Sequence, residues 1–306
     1  MNRTEIAVNT DFCGEGGSLE QTKALLGKIA QAGFTHIHWC HEWDGEYIYS
    51  KSEMAQLAGW LSEYGLRVKA LHATKGSARD VTARGKHYRK DYTSDWEYNR
   101  IAGVELIQNR VELAAAIGAE EIVLHLYIPH VSIRENPEEK EQFYACVYRS
   151  LDELMPCCME RKVRICMENL FDFPGEYMLE AWDRLFSRYP EEFLGLCYDT
   201  GHANMIWGRQ APEILAKYGE RIFAVHLHDN HGKADEHLIP GEGTIDWQAV
   251  MEAVARSAYQ APLVLELVCG EKDADEYLRK AYRAGCHLES LFAKARAGEQ
   301  TTASSL

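Results

Sequence analysis

Eight times along the chain a short apolar run gives way to an amphipathic stretch long enough for a helix, and this alternation limits the possible folds more than any other feature. The runs are IAVNTDF (6–12), THIHWC (35–40), RVKALHA (67–73), EIVLHL (121–126), VRICMENL (163–170), LGLCYDT (194–200), FAVHLHD (223–229) and LVLELV (263–268). Between them lie patterns such as LEQTKALLGKIAQAG and NRIAGVELIQNRVELAAAIG, with apolar residues at three- and four-residue spacing and Gly33 or Gly118 as stop signals. The runs are almost continuously apolar, as parallel strands covered by helices are. Helices of about 12 to 20 residues supply the crossover that parallel strands need. Eight such units close a barrel, so the expected fold is α/β, a single-domain (β/α)8 TIM barrel over residues 1–298 with a flexible tail at 299–306. An open doubly wound sheet would carry a phosphate loop after an early strand, and neither GxGxxG nor GxxxxGK[ST] occurs.

In such a barrel the chemistry sits where the strands end. Four consecutive runs end in potential metal ligands: ICMENL at Glu168, CYDTGH at Asp199 and His202, VHLHD at His226, and VLELV at Glu266. A strand leaving an apolar core has no structural use for a charge there, because an ionised carboxylate out of water costs several kcal/mol unless a cation or partner compensates it. Strands three and four add His72 and His125, so six of eight strands deliver a candidate ligand to one mouth. Carboxylate oxygens with an imidazole suit Mn²⁺, Mg²⁺, Co²⁺ or Zn²⁺, manganese first, and the absence of thiolate from the set speaks against a closed structural zinc site. An open position on such an ion polarises a carbonyl or a hydroxyl pair. Glu168 and Glu266, from strands five and eight, are placed to remove a proton beside that carbonyl and return one to the other face, as an epimerase or aldose-ketose isomerase requires. If both only bind metal, His125 is the leading base.

Composition narrows the partners. Forty-seven acidic against 33 basic residues leave a net charge of −14, which argues against a nucleic-acid partner and for a small-molecule substrate. Nine scattered cysteines without CxxC pairing, and an N-terminus that enters a strand without a secretory core, indicate a reduced, cytoplasmic chain, in which Cys157 and Cys158 are packing residues. No apolar stretch approaches the roughly 18 residues of a membrane span. The loop after strand three (74–99) holds Lys75, Arg79, Arg84, Lys86, His87, Arg89 and Lys90, either a lid for an anionic or polyhydroxylated substrate, or a solvated excursion or oligomer contact. The stretch HWCHEWDGEYIY (38–49) brings Trp39, Trp43, Tyr47 and Tyr49, suited to stacking on a sugar or to packing against another subunit of a homo-oligomer.

These residues resemble the xylose isomerase-like TIM barrels, a family of sugar-phosphate isomerases and epimerases, ketose 3-epimerases, inosose-processing enzymes and endonuclease IV. The resemblance covers essentially the whole chain and is strongest over AVHLHDNHGKADEHLIPGEGTIDW (224–247) and LVLELV. It implies one divalent ion held by Glu168, Asp199, His226 and Glu266. His226 is preferred over His228 because it opens the family's H-x-x-D string. His202, in DTGH, then matches a substrate contact, and His72, His228, Asp235, His237, Trp39 and Lys75 complete the expected substrate pocket. Where ketose 3-epimerases carry a further Glu and an Arg for substrate hydroxyls, this chain reads NLFDFPGE and DNHGKADE, so that specificity does not carry over. Two other branches remain open. One cleaves the C-glycosidic bond of a 3-oxo-sugar conjugate with a small β-rich partner subunit. The endonuclease branch uses three zinc ions, for which His72, His125, Glu168, Asp199, His202, His226, Asp235, His237 and Glu266 are counterparts.

Overall fold

The computed structural model describes residues 4–14, 19–42, 45–74, 89–270 and 273–303. In chain order its elements are β1 (Ile6–Asn9), α1 (Leu19–Ala32), β2 (His36–Trp39), α2 (Lys51–Tyr64), β3 (Arg67–Thr74), α3 (Glu97–Ile117), β4 (Glu121–Leu124), α4 (His130–Glu135), α5 (Pro137–Arg161), β5 (Arg164–Glu168), α6 (Gly175–Arg188), β6 (Leu194–Asp199), α7 (Thr200–Trp207), α8 (Ala211–Lys217), β7 (Ile222–His226), α9 (Trp247–Arg256), β8 (Leu263–Leu265) and α10 (Ala274–Ala303). The strands form one eight-stranded sheet in the order β7-β6-β5-β4-β3-β2-β1-β8. A parallel bridge between Leu227 and Leu265 brings the chain beyond β7 to β8. This is the cyclic order of a (β/α)8 TIM barrel, as the alternation of the sequence requires.

The chain divides into two compact units. The first comprises Met1–His41, Gly59–Lys69 and Leu196–Leu306. In it β1 pairs in parallel with β2 (Ala7 with His36) and with β8 (Ala7 with Val264), and β6 pairs with β7 (Asp199 with His226). The helix α1 ends where Gly33 takes φ 115°, a backbone region that costs a residue with Cβ, and a Cβ there would stand 2.8 Å from the Tyr282 ring. Gly285 of α10 permits another close approach, since its Cβ would meet Ile6 of β1 at 2.8 Å.

The second unit comprises Glu42–Ala58 and Ala70–Gly195. Here β4 lies between β3 and β5, with Ile122 opposite Leu71 and Ile165. α3 ends on left-handed Gly118. α5 begins where Asn136 accepts hydrogen bonds from the amides of Glu138 and Glu139, with Pro137 preset for the first turn. α4 and α8 are short insertions that the periodicity did not reveal. Among the described residues no helix is long and apolar enough to cross a membrane.

Candidate active site

Asp199 closes β6 and is fully buried. Its Oδ1 caps α7 by accepting from the His202 amide at 2.7 Å, and both its oxygens lie 3.0 Å from His228 Nε2. The imidazole can only stand there because the intervening residue is glycine: a Cβ on Gly201 would be 2.0 Å from His228 Cε1. The His228 backbone is held in turn by the Thr200 hydroxyl, which accepts from its amide at 3.1 Å and donates to its carbonyl at 2.9 Å. DTGH and HLHD thus form one interlocked piece. His226 Nδ1 lies 3.3 Å from Glu266 Oε1 and 3.8 Å from Asp199 Oδ2, so three of the four expected metal ligands are neighbours within the first unit.

A chain of polar contacts extends from these groups. Asp235 Oδ2 lies 3.0 Å from His237 Nε2 and 3.4 Å from His202 Nε2, and His237 Nδ1 is 3.1 Å from the Glu266 carbonyl. The rings of His228 and His237 stack 4.0 Å apart. Burial pushes the Asp235 carboxyl up, but the hydrogen bonds from His202 and His237 outweigh it and hold the group well below the usual range. For His237 burial pushes down and is likewise overcome, here by the hydrogen bond to Asp235 and the nearby Glu266 charge, so its pKa rises to about 9. Asp235 Oδ1 and His228 Nδ1 are buried without a hydrogen-bond partner among the described residues, as suits groups awaiting a cation or a substrate hydroxyl.

In the second unit Glu168 closes β5 at 1% exposure. Its Oε2 is 3.0 Å from His125 Nε2 and 3.4 Å from His72 Nε2. His125 Nδ1 lies 3.1 Å from the Tyr127 hydroxyl, and Tyr92 donates to the His125 carbonyl at 3.0 Å. Tyr127 was not anticipated, although its place two residues after His125, on the same face of an extended segment, signalled it.

Ligand atoms lie within 4.8 Å of one another in several groups of three: His72, His125 and Glu168; Asp199, His202 and His228; His228, Asp235 and His237; and His38, Cys40 and Glu266. Buried carboxylates with imidazoles beside them are a donor set that fits a divalent cation. Trp39 stands apart, 1% exposed, on the strand face opposite His38 and Cys40, with its ring edge-on to His41. Lys75, Trp43 and most of the basic loop (Arg79, Arg84, Lys86 and His87) lie outside the described residues.

The 224–247 stretch also has a structural role. The buried Asp229 carboxylate accepts from the amides of Asn230, Gly241 and Ile245 and from the Trp247 indole at 2.9 to 3.2 Å. Gly243 lets that turn close, because its Cβ would lie 2.3 Å from Asp229 Oδ1.

An α/β barrel that carries buried carboxylates and imidazoles at its strand ends defines the class of protein. The chain belongs to the xylose isomerase-like TIM barrel family, whose model matches residues 26–287. It is 35% identical over 286 residues to y4fM of Sinorhizobium fredii, an uncharacterized protein, covering 90% of this chain and 91% of that one. It is 22% identical over 231 residues to the L-ribulose-5-phosphate 3-epimerase UlaE of Salmonella paratyphi A, covering 72% and 71%. The crystal structure of a D-tagatose 3-epimerase-like protein superposes with a TM-score of 0.71 at 22% identity, covering 96% of this chain and 99% of that one. The fold is therefore one that sugar epimerases use.

Proposed function

We propose that this protein is a divalent-metal-dependent isomerase or epimerase of a sugar or sugar phosphate. The observation that carries the reading is the burial of Glu168, Asp199 and Glu266, at 1%, 0% and 8% exposure, each at a strand end beside histidine. Three buried carboxylates so placed are donors whose remaining desolvation cost a bound divalent cation would offset. Glu168, Asp199, His226 and Glu266 would hold it, with manganese the first choice and magnesium, cobalt or zinc the others. When bound, the ion supplies a Lewis acid for a substrate carbonyl. Glu168 and Glu266 then take a proton from the adjacent carbon and return one. His125 contacts Glu168 at 3.0 Å and Tyr127 contacts His125 at 3.1 Å, which places both beside the substrate. His72, His202, His228, Asp235 and His237 bind substrate hydroxyls, with Lys75 a further contributor, while Trp39, buried on the opposite strand face, does not reach the substrate.

The test is proton exchange from solvent into ketoses, sugar phosphates and 3-oxo-glycosides by the metal-loaded protein. Glu168→Gln and Glu266→Gln should each abolish exchange even in excess metal, while His125→Ala should only weaken binding. Exchange that survives Glu168→Gln and vanishes in His125→Ala moves the base to His125 and the reaction to C-glycoside cleavage. A second reading, phosphodiester cleavage by several metals, draws on the groups of three, which offer more ligands than one ion uses. The net charge of −14 favours the sugar. Incision of abasic duplex DNA, with salt-sensitive binding, would replace the sugar reading by the nuclease.

A further inference from the structure

β2 places His36 and His38 on one face by strand alternation, Cys40 follows directly after its last residue on the same alternation, and His38 and Cys40 lie beside Glu266 in the first unit. One ligand atom from each of His38, Cys40 and Glu266 lies within 4.8 Å of the other two, and all three residues are buried. The backbones that carry them are clamped. Thr10 donates its amide to the His38 carbonyl at 3.0 Å, and its Oγ1 accepts from the Cys40 amide at 2.9 Å. On the other side Asn9 Nδ2 donates to the Leu267 carbonyl at 3.0 Å, and its Oδ1 accepts from the Leu267 amide at 2.8 Å, on the residue that follows Glu266. A buried packing cysteine needs apolar neighbours. Cys40 instead has a histidine, a glutamate and, through a hydrogen bond to its thiol, Asp11.

We propose that His38, Cys40 and Glu266 form a second metal position, distinct in chemistry from the oxygen-rich one proposed above, that takes a borderline-soft divalent ion such as Zn²⁺. A nitrogen, a sulfur and an oxygen donor are the mixture Zn²⁺ accepts, whereas Mg²⁺ and Mn²⁺ prefer oxygen. Tetrahedral bonds of about 2.0 to 2.3 Å put ligand atoms roughly 3.3 to 3.8 Å apart, so closure from separations within 4.8 Å needs an adjustment of at most about 1 to 1.5 Å. Asp11, which bridges the Cys40 thiol and Asn9 Nδ2 (2.7 Å), is placed to fill the fourth position or to bind a water that does. Glu266 then joins this ion to the one proposed for sugar chemistry, but neither assignment requires the other, because only this position contains sulfur.

That difference makes the test specific. Chelated, reduced protein is titrated with Co²⁺ and followed by absorption. A thiolate-to-cobalt charge-transfer band is expected, which an ion held by Glu168, Asp199, His226 and Glu266 alone cannot give. Cys40→Ser should lose the band while keeping any weaker bands of cobalt bound through oxygen and nitrogen, and His38→Ala should lose it or require far more cobalt. Cobalt uptake without the band in the wild type overturns the proposal, as does no uptake or a band that survives Cys40→Ser. Should the variants fail to fold, X-ray absorption at the zinc edge of the wild-type protein decides: sulfur in the coordination shell supports the position, and a shell of oxygen and nitrogen alone removes it. Loss of epimerase activity with the band intact would instead count against the reaction and leave this site standing.

Discussion

At the scale of single residues, the glycines of the two characteristic strings act through space they leave empty. Gly201 and Gly243 make room for the His228 ring and the Asp229 carboxylate, and neither lies in the left-handed region. Adding one methyl group at either forces a buried side chain out of its hydrogen bonds. Gly201→Ala and Gly243→Ala should each lower stability by about 2 kcal/mol or more, read from denaturant midpoints. Gly59, exposed within α2 with nothing within 4 Å of its added Cβ, is the control, and Gly59→Ala should stabilise by about 0.5 to 1 kcal/mol. Equal effects at all three positions would show that packing is not the cause.

At the scale of elements, α3 is a clamp as much as a crossover. Gly103 lets it approach the backbone at Tyr92, where a Cβ would meet the amide nitrogen at 2.3 Å. Asn109 takes both backbone groups of Tyr49, accepting from its amide and donating to its carbonyl at 2.9 Å each. Buried Arg110 donates to the carbonyls of Ala73 at 2.6 Å and Glu42 at 3.2 Å, with its guanidinium over the Tyr49 ring. The loop after β2 is thereby fastened to α3 within the second unit. Asn109→Leu leaves two backbone groups without partners and should cost about 1 to 3 kcal/mol, with faster amide exchange at Tyr49 as the local signature. Unchanged exchange there would show that the loop is held by other contacts.

At the scale of the whole molecule, the negative charge is not spread evenly in its consequences. Surface pairs such as Lys23 with Glu63 are solvated and contribute little, while buried Asp199 and Glu168 repel any state that leaves them uncompensated. Metal should therefore stabilise the fold. After chelation, adding Mn²⁺ at about 100 times its Kd should raise stability by about 2.7 kcal/mol, seen as a concentration-dependent increase in melting temperature. Asp199→Asn should abolish most of that increase. A melting temperature indifferent to Mn²⁺ would remove the ion from the proposed reaction.

The barrel was legible in the chain, because eight alternations of apolar run and amphipathic helix have few other ways to bury their faces. The sequence also marked Glu168, Asp199, His226 and Glu266, since a charge at the end of an apolar run is conspicuous. It extended several strands too far: β4 ends at Leu124 and β8 at Leu265, so His125 and Glu266 lie just beyond the ladder, where side chains and neighbouring backbone groups hold the chain instead of a strand partner. Which of these groups touch one another came only from folding. His125 meets Glu168 across 43 positions and His228 meets Asp199 across 29, and no local pattern encodes such pairings. Cys40 was hidden for the same reason. In the chain it is one apolar residue among nine scattered cysteines, and only folding sets it beside His38 and Glu266.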